Sequence, residues 1–328
     1  MENLLPNTAH EVPLVPSGAE VREPLDRLSD EEFLQASQEF GNTYAALVRG
    51  EAVDDFPASA EVQATLDAAG QKLEGLDESQ RAKVVIGQYR SVLREAYEAA
   101  GHEPPIDSGE PDEAALASVT RVEQGPYGTQ IVYTNGKQNE ALFGSDSLAF
   151  AASEAMLQHY NTPIVVVYEG YGDNEKQEVM THETSHAVWG VLRASGVIPS
   201  PQGEDDRAGA GRSAFELARD EAAALMVAGQ RKIVHSNVVT RMEQEGYSAE
   251  QVERYRALGE GFNAMAVQDK PIELSSALLG IVSARTFDEL EVNMTRLARL
   301  TQALPGVEKP ANDSAEVETP DEAPMWTL

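Results

Sequence analysis

The chain has 328 residues, of which 41% are hydrophobic, and this allows one large domain or two smaller ones with a buried core. Its 55 acidic residues against 25 lysines and arginines give a formal charge of -30, which repels phosphate backbones and anionic lipid surfaces. We therefore expect neither a nucleic acid nor a membrane as a partner. Because the chain has no cysteine, His, Asp or Glu must hold any metal ion.

The sequence indicates neither a membrane-spanning helix nor a secretory signal. No apolar stretch is long enough for a membrane helix, and the first residues lack the basic and apolar regions of a secretory signal. We therefore expect a cytoplasmic location. Residues 1–28 contain four prolines and no sustained periodicity, which predicts an extended or disordered arm.

Residues 29–102 predict a helical domain. Ser29 and Glu32 form a capping-box pattern ahead of apolar residues at helical spacing. Two further helices are predicted to begin at Ser59 and Asp77, where the same spacing recurs. The chain up to residue 102 is therefore expected to consist of helices.

Residues 103–113 are rich in proline, glycine and acidic residues and predict a linker. After it the pattern alternates, which predicts strands at Ala117–Val122 and Thr129–Thr134. Asn135–Gly136 is typical of a tight hairpin turn, from which Lys137–Phe143 would return as a third strand. The sequence therefore predicts a small, mostly antiparallel sheet.

Helices dominate the rest of the sequence. A helix is predicted at Asp146–Tyr160, a strand at Pro163–Tyr168, and a helix from Asn174 that glycine and proline end near residue 196. Four more helices are predicted at Ser213–Lys232, Ser248–Val267, Ile272–Ala284 and Phe287–Leu304. Residues 305–328 are acidic and contain prolines, which predicts a disordered tail.

The motif that indicates chemistry is the HExxH string of residues 182–186. On a helix, His182 and His186 lie on one face about one turn apart, so both imidazoles can reach one metal ion. Glu183 lies beside that face, where a carboxylate can take a proton from water. Zinc with three protein ligands retains a position for water, so a third ligand must come from elsewhere in the chain.

The motif resembles that of the zincin metallopeptidases, which use HExxH to hold zinc and to activate water. Trp189 and Leu192 stand where the metzincin branch has Gly and a third His, so that branch is disfavoured. The gluzincin branch takes a glutamate from a later helix, often as ExxxD. Residues 216–220 have this form, and the resemblance implies Glu216 as the third ligand and Asp220 as the residue that orients a histidine.

Two alternatives for the third ligand remain open. Ser213 and Glu216 also fit a capping box, in which the glutamate bonds back to the start of its own helix. Glu221, five residues later, is then the alternative ligand. His235, Tyr247 and Tyr255 stand where gluzincins keep a hydrogen-bond donor to the tetrahedral intermediate, although a packing or capping role is favoured for each of the three.

The resemblance covers about residues 114–232 and implies an α+β fold, whose zincin-like core comprises a small mostly antiparallel sheet, a backing helix, the HExxH helix and a glutamate helix. With the C-terminal helices this core makes a domain of residues 114–304, and the regions at both ends of the chain are expected to be helical. Residues 164–167 are expected to form the rim of the cleft, to which a substrate could add as a strand. The function implied is a peptidase with one zinc ion that hydrolyses a peptide or protein substrate, with Glu183 as general base. The alternative is a helical interaction or scaffold protein whose zincin-like core is catalytically idle.

Overall fold

The computed structural model describes most of the chain. The described residues are 25–51, 73–99, 101–107, 110–152, 154–160, 162–194, 197–205, 207, 212–229, 233–265 and 271–302. Residues 1–24 of the predicted arm, nearly all of the predicted helix from Ser59, and the predicted tail lie outside them.

The described part of the chain is an α+β structure in which helices predominate. The α-helices are α1 Asp30–Val48, α2 Glu78–Ala99, α3 Glu113–Leu116, α4 Asn139–Phe143, α5 Glu154–Tyr160, α6 Asp173–Ala194, α7 Ala214–Val227, α8 Ser236–Gln244, α9 Ala249–Met265, α10 Pro271–Ser283 and α11 Phe287–Gln302. The predicted capping box of Ser29 and Glu32 starts α1. Among these residues we find no helix that is both long enough and apolar enough to cross a membrane.

Four strands form one mixed sheet: β1 Val119–Gln124, β2 Gln130–Thr134, β3 Ala149–Ala152 and β4 Ile164–Tyr168. Their order is β1-β2-β4-β3, with the outer pairs antiparallel and the central pair β2 and β4 parallel. The valines of β4 are completely buried, as in strands covered on both faces. The sheet is therefore small as predicted, but its centre is parallel.

Three sequence predictions about the sheet are wrong. Lys137–Phe143 does not return as a strand, since residues 139–143 form helix α4, which buries Leu142 and Phe143 and ends at Gly144 in a left-handed conformation. The first half of the predicted helix Asp146–Tyr160 is strand β3, where burial alternates and Phe150 points inward. Here pairing with β4 overrides the helix propensity of the alanines.

The third wrong prediction concerns the rim of the cleft. Strand β4 is hydrogen-bonded to β2 on one side and β3 on the other, so it has no free edge to which another strand could add. The edge strands of the described sheet are β1 and β3. A peptide could therefore add to this sheet only beside one of those two strands.

The HExxH helix α6 lies at the centre of the packing. Its Ala187 contacts the sheet face that contains Val165 and Val167. Val188 and Trp189 belong to the largest buried cluster, which joins α6 to helices α1, α7, α10 and α11. Helix α6 is therefore fixed from two sides, and its histidine face is directed towards α7.

The two described helices of the predicted N-terminal domain pack in different places. Helix α1 lies in the same cluster as α6 and α10, and its Phe40 and Tyr44 are completely buried there. Helix α2 packs against the sheet through Val85, Ile86 and Tyr89. Helix α1 is therefore part of the core that supports the HExxH helix.

Candidate metal centre

Helix α6 brings the two motif histidines together. The Nε2 atoms of His182 and His186 lie 3.1 Å apart, and the two rings are inclined at 80° to each other. Their side chains are 15% and 11% exposed, so the pair is largely shielded from solvent. The spacing of four residues on a regular helix produces this convergence.

Glu221 on α7 supplies a third donor atom. Its Oε2 lies 3.7 Å from the His182 Nε2 and 3.8 Å from the His186 Nε2. The circle through these three atoms has a radius of about 2.1 Å, which is the usual length of a bond from zinc to imidazole nitrogen or carboxylate oxygen. In the described part of the chain, these three residues form the group of histidine and acidic side chains whose donor atoms lie close enough together to hold a metal ion.

The environment of the Glu221 carboxylate fits a cation. The side chain is 7% exposed, and within the described residues its Oε2 has no hydrogen-bond partner. A buried carboxylate oxygen without a hydrogen bond costs free energy unless a cation or a proton balances its charge. The donor set of two imidazoles and one carboxylate therefore fits zinc in composition and in spacing.

Glu216 lies outside this group. Its Oε1 pairs with Arg193 of α6, and its Oε2 accepts a hydrogen bond of 3.1 Å from the Ser213 backbone N–H in the capping box that starts α7. Positions 216 and 221 are five residues apart, which is about 140° around a helix axis, so the two cannot face the same ion. The geometry favours Glu221, the alternative ligand, over Glu216.

The carboxylate of Asp220 lies beside the Nδ1 atom of the His186 ring. Its Oδ1 lies 2.9 Å from the His186 Nδ1, and its other oxygen pairs with Arg212. Burial opposes the charge of this completely buried carboxylate, but His186 and Arg212 keep its pKa below the usual value. An anion beside Nδ1 keeps the proton on that nitrogen and leaves Nε2 as the donor atom for a metal.

The two histidines have opposite pKa shifts in the metal-free chain. Burial, and then the charge of His186, lowers the pKa of His182 to about 4. Burial also disfavours the charged form of His186, but the carboxylates of Asp220 and Glu221 outweigh it and raise its pKa to about 9. A metal ion must therefore displace a proton from His186 at neutral pH.

The other sequence-predicted residues divide into two groups. Glu183 is 6% exposed and close enough to His186 to contribute to the raised pKa of that residue. His235 caps helix α8, and after burial and His186 it is among the groups that lower the pKa of His182. Tyr247 donates its hydroxyl to Asp205 at 3.1 Å, and Tyr255 donates to the carbonyl of Ile233. Glu183 and His235 thus lie near the histidines, whereas both tyrosine hydroxyls are engaged elsewhere.

No known family model, curated protein or solved structure matches this chain. The likeness to zincins therefore stands on the motif and on the cluster of His182, His186 and Glu221. Sequence reasoning missed three residues that support this cluster: Tyr44, Arg193 and Arg212. Their partners are 8 to 141 positions away in the chain, and no local pattern marks such pairs.

Proposed function

We propose that this protein is a zinc-dependent peptidase whose metal is held by His182, His186 and Glu221. The observation that supports the proposal is the convergence of three donor atoms, one of which is a buried carboxylate oxygen without a hydrogen bond. When bound at such a site, zinc lowers the pKa of a water molecule and polarises a carbonyl group. Calcium and magnesium prefer sites made of oxygen donors, so the two imidazoles argue against both.

Glu183 is the general base of the proposed reaction. As the oxygen of the attacking water bonds to the peptide carbonyl carbon, Glu183 takes a proton from that water. Glu183 then gives this proton to the amide nitrogen as the C–N bond breaks, which releases a carboxylic acid and an amine. The residue lies within the turn between the two histidines and is buried, which keeps its carboxylate beside the site. Asp220 orients His186 without contacting the substrate.

His235 is the proposed donor to the oxygen that becomes negative during the reaction. Its Nδ1 accepts a hydrogen bond of 3.3 Å from the backbone N–H of Asn237, so in the neutral ring the proton is on Nε2. The side chain is partly exposed and close enough to His182 to lower the pKa of that residue, which supports a position beside a bound substrate. Tyr247 is not proposed for this role because its hydroxyl is bonded to Asp205.

The experiment compares zinc content and hydrolysis in three versions of the chain. The wild type should contain about one zinc ion per chain and should cleave a mixture of denatured proteins, and a chelator should stop the cleavage. Glu183→Gln should keep the zinc and lose hydrolysis, because only the base is removed. Glu175→Gln, which changes an exposed acid on the same helix, should keep both.

Other outcomes separate the alternatives. A wild type that binds zinc but cleaves no protein in the mixture would favour the idle scaffold. The proposal would be contradicted if the purified wild type contained no zinc and bound none when zinc was added, because the three donor atoms would then not form a zinc site. Loss of zinc in Glu183→Gln would contradict the role given to Glu183.

A further inference from the structure

Helix α1 contacts the metal-binding motif directly through Tyr44. The hydroxyl of this completely buried tyrosine lies 3.2 Å from the backbone oxygen of Ser185 and 3.0 Å from its Oγ. Ser185 is the fourth residue of the motif and is followed by His186. A residue 141 positions earlier in the chain thus hydrogen-bonds to the turn that presents one of the proposed zinc ligands.

Tyr44 is held rigidly, so its hydroxyl can fix what it contacts. The ring stacks on Phe40 with centroids 6.2 Å apart, and both side chains lie in the large core cluster with α6 and α10. A packed phenol ring has only two side-chain torsions, and both are fixed in such a core. Ser185 is itself completely buried, so water cannot replace the phenol as a partner.

The same hydroxyl lies near the group that holds His186 from behind. Burial, and then the negative charge of Asp220, raise the pKa of Tyr44, so the phenol keeps its proton at neutral pH. Asp220 contacts the Nδ1 side of the His186 ring, and Tyr44 contacts the helix backbone just before that residue. His186 is therefore supported at its ring and at its backbone by two different elements.

We propose that Tyr44 is a positioning residue for the metal centre, which makes helix α1 a part of that centre. Tyr44 fixes the turn of residues 185 and 186, so that the His186 Nε2 stays 3.1 Å from the His182 Nε2 and 3.8 Å from Glu221. This inference rests on the proposed zinc site. Because coupling between two equilibria is reciprocal, zinc binding should also stabilise the packing of α1 against α6.

The test is Tyr44→Phe in the full-length chain, with Tyr89→Phe as the matched control. Tyr89 is also buried and also donates to a backbone oxygen, that of Phe143 at 3.3 Å, but it lies in the cluster between α2 and the sheet. Each substitution removes one buried hydroxyl and keeps the ring, so both should destabilise the chain by a similar amount. The quantities measured are zinc affinity, by competition with a chromophoric chelator, and the visible absorption spectrum of the cobalt-substituted chain.

We expect Tyr44→Phe to weaken zinc binding about 10-fold, the lower end of the range for residues that orient ligands from outside. Its cobalt spectrum should change because the ligand geometry changes, whereas Tyr89→Phe should keep the affinity and the spectrum of the wild type. Adding Ser185→Ala to Tyr44→Phe should cost less than the two single effects together, since both remove the contact between the Tyr44 hydroxyl and the Ser185 Oγ.

Three results would overturn the proposal. Equal zinc affinities and equal cobalt spectra for the two tyrosine variants would show that Tyr44 only packs α1. A wild type that binds no zinc would overturn both this inference and the proposed function. A wild type that binds zinc normally, together with an unaffected Tyr44→Phe, would overturn the inference alone.

Discussion

If Glu221 is the third ligand, substitution of Glu221 should lower zinc affinity, whereas substitution of Glu216 should lower the free energy of unfolding. Glu221→Gln keeps the shape of the side chain but removes the charge that the proposed cation requires. Substitutions of residues that only orient ligands cost 10- to 100-fold in metal affinity, so loss of a ligand should weaken zinc binding by more than about 100-fold. A loss of that size removes about 2.7 kcal/mol of zinc-dependent stabilisation when zinc is saturating for the wild type.

Glu216→Gln should have the reverse profile. It breaks the ion pair between this buried carboxylate and Arg193, and with it a contact that joins α7 to α6. Breaking such a pair costs about 3 to 5 kcal/mol when both partners are buried, and the 22% exposure of Arg193 reduces this to about 2 to 3 kcal/mol. The loss should occur with and without zinc, and zinc affinity should stay within about three-fold of the wild type.

Urea unfolding of both variants, once in excess zinc and once in chelator, separates the two effects. For Glu221→Gln, the gain in unfolding free energy on adding zinc should shrink, and the stability in chelator should stay close to that of the wild type. For Glu216→Gln, the gain in unfolding free energy on adding zinc should persist, and the unfolding free energies in zinc and in chelator should both fall. If Glu216→Gln abolished the zinc-dependent gain and Glu221→Gln preserved it, the assignment of Glu221 as ligand would be refuted.

Three further predictions concern the groups around the ligands. Asp220→Asn should weaken zinc binding about 10- to 100-fold in a chelator competition, because the anion that orients His186 is lost; unchanged affinity would remove Asp220 from the centre. His235→Asn, which keeps a good capping residue on α8, should lower kcat about 100-fold and leave zinc content unchanged; normal kcat would exclude His235 as the donor. In chelator, the raised pKa of His186 should contribute of the order of 3 kcal/mol to the free energy of unfolding below pH 6.5, and this contribution should be lost as the pH rises through about 9. Urea unfolding from pH 6 to 10 should show this fall in the wild type and not in His186→Gln.

Much of the site could be predicted because its pattern is local. Two histidines four residues apart on a helix must share a face, so the pairing of His182 and His186 follows from the helix alone. Helical spacing likewise predicted helix α7, and Asp220 of that helix lies beside His186. The third ligand could not be selected this way, because Glu216 and Glu221 lie on one helix and the sequence does not say how that helix is rotated.

The sheet was harder to predict because partners outside each segment decide its form. The alanines of residues 149–152 favour a helix locally, and only pairing with β4 makes them a strand. Helix α8 was not predicted because His235 caps it in place of Ser, Thr, Asp or Asn, and β-branched residues fill its first turns. In both cases the local signal is weak, and packing determines the structure.

The contacts around α7 explain why Glu216 and Glu221 have different roles although both are buried acids. One oxygen of Glu216 forms an ion pair with Arg193 and the other accepts from the Ser213 amide, so its carboxylate fixes α7 against α6. That contact sets the rotation of α7, and five residues later the same rotation directs the Glu221 carboxylate towards the two imidazoles. Glu216 therefore contributes to the metal centre by holding the ligand helix in place, and a variant that loosens it should lose stability before it loses zinc.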